Sequence, residues 1–202
     1  PTAAHFRHLE IANTASDTGV TFASTTTQVN GDLNLVGPGT GVRGPSSTLT
    51  VQGSVNGGAS TRLSLPALRI GGALNQTGNY VVGTTEFFGT GQTIPVRPYQ
   101  NVLVSGRASF GGATSIGGEL RINNPSTAAL ATVAGHVVTI TDSLVVGDNQ
   151  GYLVMRNPAD TVVVGKNARF NGGNPGADTI LTAGVLRVRG NFTVNTSGVY
   201  FN

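Results

Sequence analysis

Apolar residues recur along this chain in short words of the form apolar-x-apolar, each closed within a few residues by a small or polar turn residue. The words are Leu33/Leu35, Leu49/Val51, Leu68/Ile70, Val102/Val104, Leu120/Ile122, Val138/Ile140, Val162/Val164 and Leu186/Val188. Alternation at period two puts both apolar side chains of a word on one face and the residue between them in water. Each word is too short to stand as a free strand. Neighbouring words often lie 16 to 19 positions apart, as from 33 to 49, 49 to 68, 102 to 120 and 120 to 138. That spacing is long for a hairpin and natural for one lap of a coil whose successive strands pair in parallel. No window shows a 3.6-residue apolar stripe. The stretch from Ala128 to Ala134 comes nearest and is predicted as strand or loop.

The pattern also repeats at long range. Residues 6–80 and 99–200 pass through the same words in the same order. Phe6, Leu9, Ile11 and Asn13 line up with Tyr99, Val102, Val104 and Gly106. Val29, Gly31, Asp32, Leu33 and Leu35 line up with Ile116, Gly118, Glu119, Leu120 and Ile122. Leu68, Ile70 and Gly72 answer to Leu186, Val188 and Gly190, and Tyr80 to Tyr200. Self-similarity of this kind identifies a repeat architecture. The expected organisation is one β-solenoid built of two related copies, about 1–93 and 94–202, as a segment of a longer array.

Composition sharpens this reading. Thirty glycines, 38% hydrophobic residues and 10% charged residues describe short strands and tight turns rather than helices or disorder. Glycine and asparagine are expected to supply positive-φ corners. The fold class predicted is all-β, a parallel β-solenoid. A β-sandwich is the alternative, because Asn30-Gly31, Asn56-Gly57 and Asn171-Gly172 suit hairpin turns. No cysteine is present, so neither disulfides nor thiolate metal sites contribute. No apolar run is long enough to span a membrane as a helix. The net charge of +3 comes from eleven scattered arginines and Lys166 against nine acids, which argues against a nucleic-acid groove.

Gly89, Thr90, Gly91, Gln92, Thr93, Ile94 and Pro95, followed by Tyr99, Asn101, Val102, Val104, Ser105 and Gly106, resemble a segment written GTGxQTIPxxxYxNLxVSG. That segment recurs in very large bacterial surface-exposed β-helix repeat proteins. The steps from Val29 to Leu35 and from Ser115 to Ile122 resemble the lap that follows it there. The resemblance implies a right-handed parallel β-helix in a secreted or cell-surface protein, adhesive or structural, and it carries over no catalytic residue.

The acids are the candidate chemistry, because polysaccharide-cleaving enzymes use such coils and need two or three carboxylates in one groove. Glu10, Asp17, Asp32, Glu86, Glu119, Asp142, Asp148, Asp160 and Asp178 are spread almost evenly, and the equivalent positions of Asp32 and Glu119 suit a scaffold. The stretch from Gly172 through Asp178 to Ile180 resembles a calcium-binding nonapeptide with one extra residue, in a single copy, and is read as a turn. His5 and His8 are expected on opposite faces of a strand, and His136 stands alone. Thr25/Thr27, Thr48/Thr50 and Thr139/Thr141 resemble ice-binding ladders that Asn, Arg and Gln interrupt. Phe6, Phe22, Phe87, Phe88, Tyr99, Phe110, Tyr152, Phe170, Phe192, Tyr200 and Phe201 are read as internal stacks or corner packing rather than a sugar platform. Asn75, Asn191 and Asn195 begin glycosylation-type triplets. The expected function is a non-catalytic extracellular structural or adhesive module. A carbohydrate-binding or polysaccharide-cleaving coil is the alternative. The expected site residues, metals and cofactors are none. The expected partners are further copies or neighbouring repeats end to end and surface glycans, with neither nucleic acid nor a membrane span.

Overall fold

The computed structural model describes residues 4–12, 19–22, 26–44, 48–147, 150–171 and 181–195. Among these residues there is no helix, and the strand pairings of known register are parallel. The β-sandwich alternative is thereby excluded: Asn30-Gly31 turns the chain from one sheet to the next, and Asn56-Gly57 ends a strand that pairs in parallel on both sides. Contacts divide the chain into two units, Pro1–Glu86 and Phe87–Asn202.

The first unit is a coil of three strands to a lap. Its first lap is β1 (Ala4–Phe6), β2 (Leu9–Ala12) and β3 (Gly19–Thr21), and its second is β4 (Thr26–Val29), β5 (Leu33–Val36) and β6 (Gly41–Arg43). Then come β7 (Thr48–Val51), β8 (Val55–Gly57) and β9 (Arg62–Ile70). β9 joins two branches of one sheet, since Arg62–Ser64 pair with β6 while Ala67–Ile70 pair with β7. Pro66, which has no N–H to offer a ladder, stands between the halves. β10 (Leu74–Gln76) and β11 (Asn79–Phe87), whose last residue begins the second unit, complete the series.

The second unit continues with β12 (Gln92–Ile94) and β13 (Pro98–Tyr99). Its next laps are β14 (Asn101–Val104), β15 (Arg107–Phe110) and β16 (Thr114–Ile116), then β17 (Leu120–Ile122), β18 (Ala129–Thr132) and β19 (Val137–Ile140). They are followed by β20 (Leu144–Val146), β21 (Gly151–Val154) and β22 (Thr161–Val164), then by β23 (Ala168–Phe170) and β24 (Val185–Val188), and finally by β25 (Phe192–Val194), which stacks on β23 one lap later. The alanine-rich stretch expected as strand or loop is β18.

Alternation along each strand builds the core. Leu49 stacks on Leu68, Val51 on Ile70, and Leu33 on Val55 and Leu74 in the first unit. In the second, one column runs Val102, Leu120, Leu144, Ala168, Phe192 and another Val104, Ile122, Val146, Phe170, Val194. A third runs Tyr99, Ile116, Ile140, Val164, Val188. Members away from the ends are 0–5% exposed, so each apart from Ala168 contributes roughly 1.5–3 kcal/mol of burial. All the residues expected inside are buried except Leu186 and Val188, which point inward by register but lie half-exposed in the last described lap.

The lap length matches the word spacing where Leu49 stacks on Leu68 and Val102 on Leu120, and differs from it elsewhere. Leu33 pairs with Val55, not Leu49, and Leu120 with Leu144, not Ile140's neighbour Val138. Laps run from 16 to 24 residues, and most are 22 to 24. One lap carries three words on three sheets, so the nearest word usually belongs to a different face. Among the described residues asparagine does not supply the positive-φ corners. Among the described residues these are Gly37, Gly39, Gly91, Gly135, Gly147, Gly184 and Ala134. Glycine has a second use at the corner column Gly31, Gly53, Gly72, where a Cβ on Gly72 would lie 2.6 Å from the Gly53 carbonyl carbon. The Gly72 N–H donates to the Gly53 carbonyl and the Gly53 N–H to that of Gly31, so laps approach backbone to backbone there.

Words that align in sequence fall on corresponding strands. β1, β4 and the second half of β9 share one sheet, and their counterparts β13, β16 and β24 share another. The second series spans one lap more than the first.

Candidate functional site

The side chains best placed for chemistry are used to tie laps together. At one corner of the first unit the Asp32 N–H donates to His8 Nδ1 at 3.1 Å, and the Ser54 N–H to Asp32 Oδ1 at 2.7 Å. The Ala73 N–H then donates to Ser54 Oγ at 3.1 Å. Each corner side chain thus satisfies a backbone donor one lap on, where the turn leaves it without a ladder partner. His8 sits in this bend, because β1 ends at Phe6. The expected arrangement of His5 and His8 on one strand is therefore corrected.

Glu119, the counterpart of Asp32, occupies an equivalent corner in the second unit. Its N–H donates to Asn101 Oδ1 at 2.9 Å, while its carboxylate accepts from Ser143 Oγ at 3.4 Å and Arg121 Nε at 2.9 Å. Asp142 lies 3.1 Å from Lys166 Nζ one lap on. Asp160, 1% exposed, accepts the Gly135 N–H on Oδ1 and the Asn157 N–H on Oδ2 at 3.0 Å. Its own carbonyl accepts the Val185 N–H at 2.8 Å from the next lap. Glu86 binds Arg69 through two bonds, 2.6 Å to Nε and 3.2 Å to Nη2. The bond to Glu86 raises the Arg69 pKa above its ordinary value, against the lowering effect of burial.

Glu10 is exposed on β2, while Asp17, Asp148 and Asp178, with the stretch 172–180, lie outside the described residues. Among the described residues no group of three His, Asp or Glu side chains converges as a metal site would.

Outward-facing amides form a second set of rungs. Asn56 Nδ2 donates to Asn34 Oδ1 at 2.8 Å and Asn75 Nδ2 to Asn56 Oδ1 at 2.9 Å; Asn195 Nδ2 donates to Asn171 Oδ1 at 2.7 Å. Asn191 donates its N–H to Asn167 Oδ1 at 2.9 Å. All three residues that begin glycosylation-type triplets therefore take part in inter-lap bonds. Thr27 is buried, whereas Thr48 and Thr50 flank buried Leu49, and Thr25 lies outside the described residues. Of the aromatics, Phe87 and Tyr99 meet edge to face at 6.2 Å, and Phe170 and Phe192 lie 5.5 Å apart. Phe87, Tyr99, Phe110, Tyr152 and Phe170 are buried and Phe192 is 46% exposed; Tyr200 and Phe201 lie outside the described residues.

An open cleft of about 450 Å³ in the first unit is lined by Arg43, Gly44, Ser64, Leu65, Pro66, Val81 and Gly83. It follows the bend of β9, and Gly83 is needed there because a Cβ would lie 2.6 Å from the Pro66 carbonyl oxygen. A proline in the middle of one nine-residue strand and a glycine in the middle of the next were the signals available.

Comparison with protein-family models, with curated proteins and with solved structures gives no match. Among the described residues no helix is long and apolar enough to cross a membrane.

Proposed function

We propose that this chain is a non-catalytic structural or adhesive β-solenoid module of a bacterial cell-surface or secreted protein, acting through its repeated laps and further copies of them. The observation that carries this reading is the use of Asp32, Glu86, Glu119, Asp142 and Asp160 as ties. A glycosidase acid or base must be free to reach a glycosidic oxygen or a water. These carboxylates are instead held by backbone N–H groups, arginines or Lys166. The sequence resemblance to surface-exposed β-helix repeats supports the extracellular setting. Incubation with a panel of plant, algal and bacterial polysaccharides, read by release of reducing ends, tests the proposal. No release is expected, and release that tracks the purified chain would contradict it.

The cleft favours a second reading, carbohydrate binding without cleavage. Arg43 and Ser64 bring polar groups beside the apolar Leu65, Pro66 and Val81, a mixture suited to a sugar ring. Retention on an immobilised glycan, lost in Val81→Asp, is the observation that would favour it.

A further inference from the structure

We propose that Asn30 is a self-modifying site, converted to aspartate and isoaspartate by the neighbouring Gly31 nitrogen and water, while Asn56, which also precedes a glycine, is held unreactive by the coil. The proposal depends on neither the structural nor the carbohydrate reading above. A third such pair, Asn171-Gly172, runs outside the described residues.

The chemistry needs only water and hydroxide. The Gly31 main-chain nitrogen, its proton taken by hydroxide, attacks Cγ of Asn30. An N–C bond forms, the Cγ–Nδ2 bond breaks, and the amide leaves as ammonia with a proton from water. Water then opens the five-membered imide. Cleavage of its Cγ–N bond leaves aspartate, and cleavage at the former main-chain carbonyl leaves isoaspartate. The attack requires a glycine N–H that no ladder holds and an asparagine side chain able to swing over it. Glycine favours the approach because it has no Cβ to obstruct it.

At position 30 both conditions are met. Val29 ends β4 and Leu33 opens β5, so Asn30 and Gly31 form the bend between two sheets. The Asn30 N–H donates to the Phe6 carbonyl at 2.7 Å and the Gly31 carbonyl accepts the Gly53 N–H at 3.0 Å, but the Gly31 N–H has no acceptor among the described residues. Asn30 is exposed, and the bond on its side chain is a surface one, accepted from Gln28 Nε2 at 2.7 Å. Water replaces such a bond at little cost.

At position 56 both conditions fail. Asn56 and Gly57 lie within β8, paired in parallel with Asn34 and Leu35 on one side and with Asn75 and Gln76 on the other. The Asn56 side chain donates to Asn34 Oδ1 at 2.8 Å and accepts from Asn75 Nδ2 at 2.9 Å. Its Cγ cannot turn toward Gly57 without breaking both rungs and distorting the strand. Loss of two net hydrogen bonds on the way to the transition state slows the step by more than about tenfold.

The corner also sets the consequence. Isoaspartate routes the main chain through the former side chain, which lengthens it between the N–H bound to Phe6 and the carbonyl bound to Gly53. Gly31 has no slack to absorb this, since even a Cβ on it would collide with the His8 ring. The isoaspartyl chain should therefore unfold at lower urea than the parent, and Asn30→Asp, which adds the charge without lengthening the chain, should stay closer to the parent.

Arg7, Arg43 and Arg62 place the two asparagines on separate tryptic peptides. The full chain, one sample folded and one unfolded in concentrated urea, is kept in mildly alkaline buffer until the unfolded sample has reacted. Mass spectrometry of the peptides reads replacement of each amide by an acid, and isoaspartyl methyltransferase marks the isoaspartate. In urea the two sites should convert at comparable rates. In the folded chain Asn30 should keep a rate of the same order while Asn56 converts more than about tenfold more slowly. Folded chain in which Asn56 reacts as fast as Asn30, or in which Asn30 does not react, overturns the proposal.

Discussion

Ile122→Ala removes three carbons from a side chain that is fully buried between Val104 and Val146 in its column. Such a truncation loses the transfer energy of those carbons and leaves a cavity that the stacked neighbours only partly fill, about 2–5 kcal/mol in all. With an unfolding slope of about 2 kcal/mol per molar urea, a loss of ~3 kcal/mol lowers the midpoint by ~1.5 M. Val194 belongs to the same column but is 40% exposed, so Val194→Ala should cost no more than about 1 kcal/mol. Ile122→Asp, which would bury a carboxylate without a partner, should cost several kcal/mol more than the alanine variant. Urea titrations followed by far-UV circular dichroism, with the slope checked for constancy, give the comparison directly. Equal losses for Ile122→Ala and Val194→Ala would refute the column, because they would mean that position along it does not govern burial.

Asp160→Ala should cost about 2–3 kcal/mol in the same assay by stranding the Gly135 and Asn157 N–H groups, and Asp160→Asn, which keeps one acceptor, should cost less. Gly72→Ala should destabilise by a few kcal/mol through collision with the Gly53 backbone, while Gly58→Ala, which meets nothing within 4 Å, should be neutral or stabilising by up to about 1 kcal/mol in thermal melts. Arg69→Ala should cost about 0.5–1 kcal/mol, since the Arg69 side chain is 45% exposed, and the difference should shrink as salt is added. The Arg69 contribution carries the sign of a raised pKa: fully present below the ordinary arginine value, it should stay constant from neutral to pH 10 and fade only at extreme alkalinity.

Inside and outside were legible in the sequence because the strand period of two is strict: Leu33 and Leu35 enter the core while Asn34 stays out, and the same holds at Leu120, Arg121 and Ile122. The parallel coil was legible through the long-range repeat. The lap was legible only in part: Leu49 to Leu68 and Val102 to Leu120 are true laps, but Leu120 is followed by Val138 and Leu144 in words of the same kind, and nothing in composition tells that Leu144 stacks on it. Corner chemistry was hidden for another reason. His8, Asp32 and Ser54 do one job in one column with three different side chains, since any short acceptor satisfies the next backbone N–H. Asp32 and Glu119 were readable as scaffold from their equivalent positions, but the cleft depends on where β9 bends, a property of two laps together.

Lap-to-lap contacts in solution test the account most directly. Nuclear Overhauser spectra of the isotope-labelled chain should show backbone contacts joining Arg121 to Val145 and Val145 to Arg169, and likewise Ser115 to Thr139 and Thr139 to Val163, as parallel laps of 24 residues require. Contacts pairing these strands antiparallel, or joining Arg121 to Thr139 across the shorter word spacing, would contradict it.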